Sequence, residues 1–143
     1  IDTNVFVSSL IQRSHPYLMT TELFSNNRIQ LCISDEIFEE YVEVLNREKF
    51  TRFPEFIVKA QALLTSIRRK AIKYSPVSKL TLIKDVADNK FLELCETCKA
   101  DFLITGNTND FTFNEYKGTK IVIPKEYWEN FVVHYTRSMN AQH

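Results

Sequence analysis

The sequence predicts an α/β fold: a mainly parallel sheet covered on both faces by helices, in a single domain over residues 1–143. Short apolar runs alternate with longer amphipathic ones along the chain, the order expected when a helix separates successive parallel strands. The longer runs open on residues that start helices, Ser34, Pro54 and Pro124, through side-chain capping or a preset backbone angle. No repeat and no Pro/Gly/Ser-rich linker interrupts the pattern, so no internal boundary is drawn.

The elements follow in order. "IDTNVFVSSL" opens the chain. It reads either as a surface turn or as the end of a buried strand that carries Asp2 to the mouth of the sheet. "RIQLCIS" (28–34) is a strand ending at Ser34. "SDEIFEEYVEVLNREKF" (34–50) is a helix with Ser34 as N-cap and acidic residues in its first turn. "PEFIVKAQALLTSIRRK" (54–70) is a second helix, and "AIKYS" a short strand. "DVADNKFLELCETCKA" (85–100) is helical, and "DFLIT" (101–105) and "TKIVI" (119–123) are strands. "PKEYWENFVV" (124–133) is a closing helix. Functional groups in such sheets gather at the carboxyl ends of the strands. That favours the strand-end reading of Asp2 and places Asn107 and Asp110 in the same manner after "DFLIT".

Composition narrows the chemistry. An apolar content of 44%, with 13% aromatic residues, is that of a globular chain. Eighteen basic residues balance eighteen acidic ones, so no global field recruits a polyanion. Gly106 and Gly118 are the two glycines, too few for a phosphate-cradling loop. Three cysteines do not read as a secreted disulfide framework. The apolar runs are too short to span a bilayer, no secretory signal is visible, and a reducing cytoplasm is the expected compartment.

The carboxylates carry the sharper signal. On a helical wheel of 34–50, Ile37, Phe38, Tyr41, Val44 and Leu45 form one apolar arc. Glu39 and Glu43 point away from it, and Glu40 sits at its margin. On the wheel of 85–100, Phe91, Leu94, Cys95 and Cys98 define the arc, and Asp88 falls inside it. A buried lone carboxylate needs a proton, hydrogen bonds or a cation. The competing reading is capping, with Asp85 as N-cap and Asp88 three residues later. A parallel sheet would gather Asp2, Glu40, Asp88 and Asp110 at one rim. Three or four carboxylates in one cleft repel unless a hard divalent cation sits among them. Oxygen ligands favour Mg²⁺ or Mn²⁺, and such a site suits hydrolysis of a phosphodiester by water.

Taken together, "IDTNVFVSSL", "CISDEIFEEYVEVLNREKF", "KDVADNKFLEL" and "ADFLITGNTNDF" resemble the PIN domain. They are most similar to its toxin branch, related to the VapC ribonucleases of toxin–antitoxin systems. The resemblance implies a Rossmann-like, three-layer α/β/α sandwich, Mg²⁺- or Mn²⁺-dependent cleavage of single-stranded RNA, and inhibition by a small antitoxin protein. It assigns Asp2, Glu40 and Asp88 as metal ligands and catalytic residues, with Asp85 as an acidic neighbour. Asn4, Thr105 and Asn107 become substrate- or water-orienting residues. The broader family carries an acid where this chain has Asn107, which brings no charge; Asp110 is the substitute, beyond the usual spacing.

Other features have plainer readings. Cys95 and Cys98, in "CETC", read as packing rather than as a redox or zinc motif. His15, before Pro16, reads as a turn residue. The basic groups Arg68, Arg69, Lys70, Lys73 and Arg47, Lys49, Arg52 read as solvated faces first and as an RNA track second. Phe50, Phe53 and Phe56 read as a packed helix corner, and Tyr127, Trp128 and Phe131 as core or a homodimer face. Two function classes therefore stand: a metal-dependent endoribonuclease, and a catalytically weakened PIN domain that binds RNA or protein. Single-stranded DNA remains an alternative substrate.

Overall fold

A computed structural model describes every residue except Arg28, 84–87, 107–110, Thr112 and 134–143. Asp85, Asn107 and Asp110 therefore lie outside the described residues, as does the proposed cap of the 85–100 helix by Asp85.

Helices α1 (Thr3–Ile11) and α2 (His15–Ser25) come first, then strand β1 (Cys32–Ile33) and helix α3 (Asp35–Leu45). A short 3₁₀ turn (Glu48–Phe50) leads to α4 (Phe56–Lys70) and β2 (Ile72–Lys73). Helix α5 (Asn89–Cys98), β3 (Phe102–Ile104), β4 (Glu115–Tyr116) and β5 (Thr119–Val122) follow. The last element is α6 (Pro124–Tyr127), which widens into a π turn over Trp128–Val133. The pairs β1–β2 and β3–β5 are parallel, and β4 adds antiparallel to β5. The α/β class and its mainly parallel pairing are thus as the sequence predicts.

The start of the chain differs from expectation. Asp2 does not end a strand. Its amide donates to the Ile104 carbonyl at 2.8 Å, one rung beside β3, and the chain then turns into α1. The wheel fails for α1 because Thr3, Val5, Phe6, Val7 and Ser9 are all buried, leaving no polar stripe to reveal the period. His15 opens α2 instead of sitting in a turn, with Pro16 in the first helical turn. Among the described residues of the 28–34 segment, Cys32–Ile33 form the strand.

Elsewhere the local logic holds. Ser34 caps α3 by accepting from the Ile37 amide at 3.2 Å. Phe50 stacks on buried Phe56 with centroids 4.9 Å apart, making the corner between the 3₁₀ turn and α4. Helix α5 is buried through most of its length. Its polar members are occupied: Glu93 accepts from the Leu80 amide, and Asn89 accepts from the amides of Leu82 and Ile83. These bonds tie the segment before α5 to the helix itself. The main core joins Phe6, Ile37, Tyr41, Phe56, Leu92 and Leu103. A smaller cluster of Val5, Met19, Ile104, Val122 and Tyr127 packs α1, α2 and α6 against the β3–β5 pair.

Candidate active site

The end of β3 and the start of α1 meet at Asp2. Its side chain is buried, with an exposure of 8% for the residue. Oδ1 accepts from the Asn4 amide at 3.3 Å, which caps α1, and Oδ2 accepts from the Thr105 hydroxyl at 2.7 Å. Thr105 is fully buried, and its amide donates to Val122 of β5 at 2.9 Å. The first turn of α1 thus fixes one oxygen of the carboxylate and the end of β3 the other. Both hydrogen-bond donors are neutral, so the negative charge is solvated by dipoles rather than cancelled.

Glu40 reaches the same neighbourhood from α3. Oε2 accepts from the hydroxyl of Thr3, the residue after Asp2, and Oε1 lies 2.7 Å from Nζ of Lys90. Lys90 is buried on α5, with its ammonium also 5.3 Å from the Phe91 ring centre. The Tyr41 hydroxyl donates to the Ile1 carbonyl at 2.5 Å. Burial pushes its pKa well above the ordinary value, and the nearby negative charges of Asp2 and Glu40 push it further. A single buried phenol therefore feels both carboxylates.

Asp88 stands at the N-cap position of α5, half-buried, two residues before Lys90. It begins the helix where the residue pattern of 85–100 makes it a member of the inward arc. Thr3, Glu40 and Lys90 form one connected set drawn from α1, α3 and α5, with Asp2 next to Thr3 in the chain. Lys90 is the member that sequence reasoning missed. Its position in "DNKF" looks solvent-facing by type, and only the burial of nearly all of α5 turns it inward.

A groove of about 580 Å³ opens beside Asp2, with Asp2, Asn4, Ser8, His15 and Lys125 among its walls. Asn4 is exposed there, and Gly106 lines it beside buried Thr105. His15 lies 3.8 Å from Glu129 at the rim. The two basic groups of the sequence are mostly engaged locally. Arg47 pairs with Glu43, Lys73 with Asp35, and Arg68 packs over Phe38.

The fit of a divalent cation differs between the acids. Asp2 fits: it is a buried, charged, oxygen-only ligand with neutral donors at the edge of a groove. Glu40 already has an ammonium for a counterion, so it offers a cation less charge. Among the described residues, no three His, Cys, Asp or Glu side chains converge closely enough to hold a metal ion.

A model of the PIN domain family matches residues 1–109. No curated protein matches the chain. No solved structure matches it either.

Proposed function

The chain belongs to the PIN domain family, and from that membership we propose that it is a metal-dependent endoribonuclease that hydrolyses phosphodiester bonds of single-stranded RNA. PIN domains are generally nucleases that work with divalent metal ions. The observation that carries the reading is Asp2: a buried carboxylate, both oxygens fixed by neutral donors, at the wall of a groove of about 580 Å³. A groove of that size is ample for a nucleotide.

In this reading Asp2 and Asp88 hold the cation from two elements, with Glu40 as the outer ligand or water-orienting base. A bound Mg²⁺ or Mn²⁺ supplies positive charge to the phosphoryl oxygens and acidity to water. Thr105 keeps the Asp2 carboxylate in one rotamer, which is the orienting work that partners of ligands perform. Lys90 holds Glu40 in place. Asn4 and Lys125 face the groove and position the substrate, Lys125 through the phosphate charge. Asn107 and Asp110, which lie outside the described residues, stay in this reading as the further site residues that the sequence offers.

The test is cleavage of a fluorescent single-stranded RNA with and without Mn²⁺. Cleavage that needs the ion and vanishes in Asp2→Asn supports the reading; ion-independent cleavage that survives in that variant sinks it. A panel with single-stranded DNA fixes the sugar preference. The four segments that resemble the toxin branch support a toxin role with a small antitoxin partner. Growth arrest on expression, relieved by the product of an adjacent small reading frame, is the expected result.

A second reading has one observation in its favour, the Lys90 ammonium on Glu40. In that reading the domain binds RNA or a protein partner without cutting. Calorimetric titration with Mn²⁺ separates the two, because a binding-only domain takes up RNA with no metal isotherm.

A further inference from the structure

At the junction of β1 and the end of α5, two thiols line one cavity, separate from the groove beside Asp2. Cys32 lies on β1 and Cys98 is the last residue of α5, and each is half-buried. Helix α5 packs against β1, and the two thiols act on one another's acidity. Both line a cavity of about 360 Å³, together with Leu31, Tyr74 and Phe102. Cys95, one turn earlier on α5, lines the same cavity but is buried.

We infer that Cys32 and Cys98 form a redox-active dithiol, a site of reversible oxidation to an intramolecular disulfide by hydrogen peroxide. Three features support it. The cysteines come from separate elements that pack together and line one cavity, so a small chain movement can join them. The cavity admits a small oxidant to both. The two thiols are also electronically unequal. The hydrogen bond from Cys98 lowers the Cys32 pKa to about 7, against the opposing effect of burial, while the same bond raises that of Cys98. Cys32 is thus the nucleophile and Cys98 the resolving thiol. Burial pushes Cys95 up to about 11, which leaves it inert.

The chemistry balances. The Cys32 thiolate attacks one peroxide oxygen, the O–O bond breaks, and Cys32 becomes a sulfenic acid while hydroxide leaves. The Cys98 sulfur then attacks the sulfenic sulfur, the S–O bond breaks, and the Cys98 proton leaves with the hydroxyl as water. Two thiols lose two electrons in total, and one peroxide becomes two waters. A dithiol reductant reverses the oxidation by exchange. The bond would tie β1, which runs through Ser34 into α3, to the far end of α5. These are the two helices that carry Glu40 and Lys90.

The test uses the whole chain. Reduced protein is treated with hydrogen peroxide, denatured, alkylated, digested and sequenced by mass spectrometry. The expected result is loss of two of the three alkylatable thiols, a peptide pair cross-linked between Cys32 and Cys98, and alkylated Cys95. Dithiothreitol restores all three. Cys98→Ser should stop at a Cys32 sulfenic acid trapped by dimedone, and Cys95→Ser should leave the cross-link unchanged. Full alkylation of both thiols after peroxide overturns the inference, as does a bond that uses Cys95 or joins two chains. Because the readout is a covalent mass, it holds or fails independently of whether the domain cleaves RNA.

Discussion

Nζ of Lys90 lies 2.7 Å from Oε1 of Glu40, with side-chain exposures of 9 and 26%. A buried ammonium is costly unless paired, and this pair joins α5 to α3 beside Asp2. Glu40 in turn accepts from the Thr3 hydroxyl, so the pair is also linked to the first turn of α1. The contact holds Glu40 in place. It also competes with any metal ion for the same oxygen.

Lys90→Met tests both effects. Leaving a carboxylate without its partner costs about 3–5 kcal/mol when fully buried and under about 1 kcal/mol at the surface. With Glu40 about a quarter exposed, a loss of about 2 kcal/mol in urea unfolding is expected. Lys90→Met/Glu40→Gln should recover part of it, giving a coupling energy in a double-mutant cycle. Calorimetry should show tighter Mn²⁺ binding in the single variant. Unchanged stability and unchanged metal affinity would mean that the pair is only a contact.

Asp2→Asn separates charge from shape. Asparagine is as good an N-cap as aspartate, so the Asn4 amide keeps its acceptor. The Thr105 hydroxyl can rotate to accept from the new amide nitrogen. Unfolding free energy should change by no more than about 1 kcal/mol. Metal-dependent cleavage should fall by roughly two orders of magnitude or more. Asp88→Asn should behave likewise, and a fold-intact variant of either residue with full activity removes that residue from the mechanism.

The helices with one polar face were legible in the sequence. In α3, Ile37, Tyr41, Val44 and Leu45 are buried and Glu39 and Glu43 exposed, so the wheel finds both the helix and the marginal place of Glu40. In α1, burial on nearly every side erases the period, and β-branched Thr3, Val5 and Val7 imitate a strand. The Asp2 carboxylate was legible as an odd acid in an apolar setting. Its hydrogen bond to Thr105 was not, because 103 residues separate the partners and only the parallel pairing of β3 with β5 places Thr105 there. Lys90 was hidden for the opposite reason to Asp88: lysine is rarely buried, so its type argued against its position.

Tyr41 gives the chain an alkaline limit. Its hydroxyl is fully buried against the Ile1 carbonyl, and its pKa lies well above the ordinary value of 10. The native state therefore keeps the phenol proton where the unfolded chain gives it up. This contribution is intact below pH 10 and is lost as pH climbs from there toward the folded pKa. Cys95, raised to about 11, and Tyr127, raised by burial, act with the same sign. Urea unfolding should show stability falling above about pH 9–10, with a slope near 1.4 kcal/mol per pH unit for each such group. In Tyr41→Phe the slope should be shallower, and at pH 7 the lost hydrogen bond should cost about 1 kcal/mol.

Lys125 tests whether the groove over Asp2 is where RNA lies. It is exposed on the groove wall, and none of the ion pairs among the described residues includes it. An ammonium in that position has no folding role to lose, so Lys125→Gln should leave the melting temperature unchanged. If it meets a phosphate, the variant should raise KM for single-stranded RNA about five-fold, equivalent to about 1 kcal/mol. The chemical step should keep its kcat, because a contact made equally in the bound and transition states is uniform binding. The slope of log affinity against log salt should also drop by about 0.7, the value for one contact to a single strand. Lys117, which pairs with Glu96 away from the groove, is the control: Lys117→Gln should move neither quantity. A Lys125 variant with unchanged KM and salt slope would place the RNA path elsewhere on the surface, while leaving the role of Asp2 to its own test.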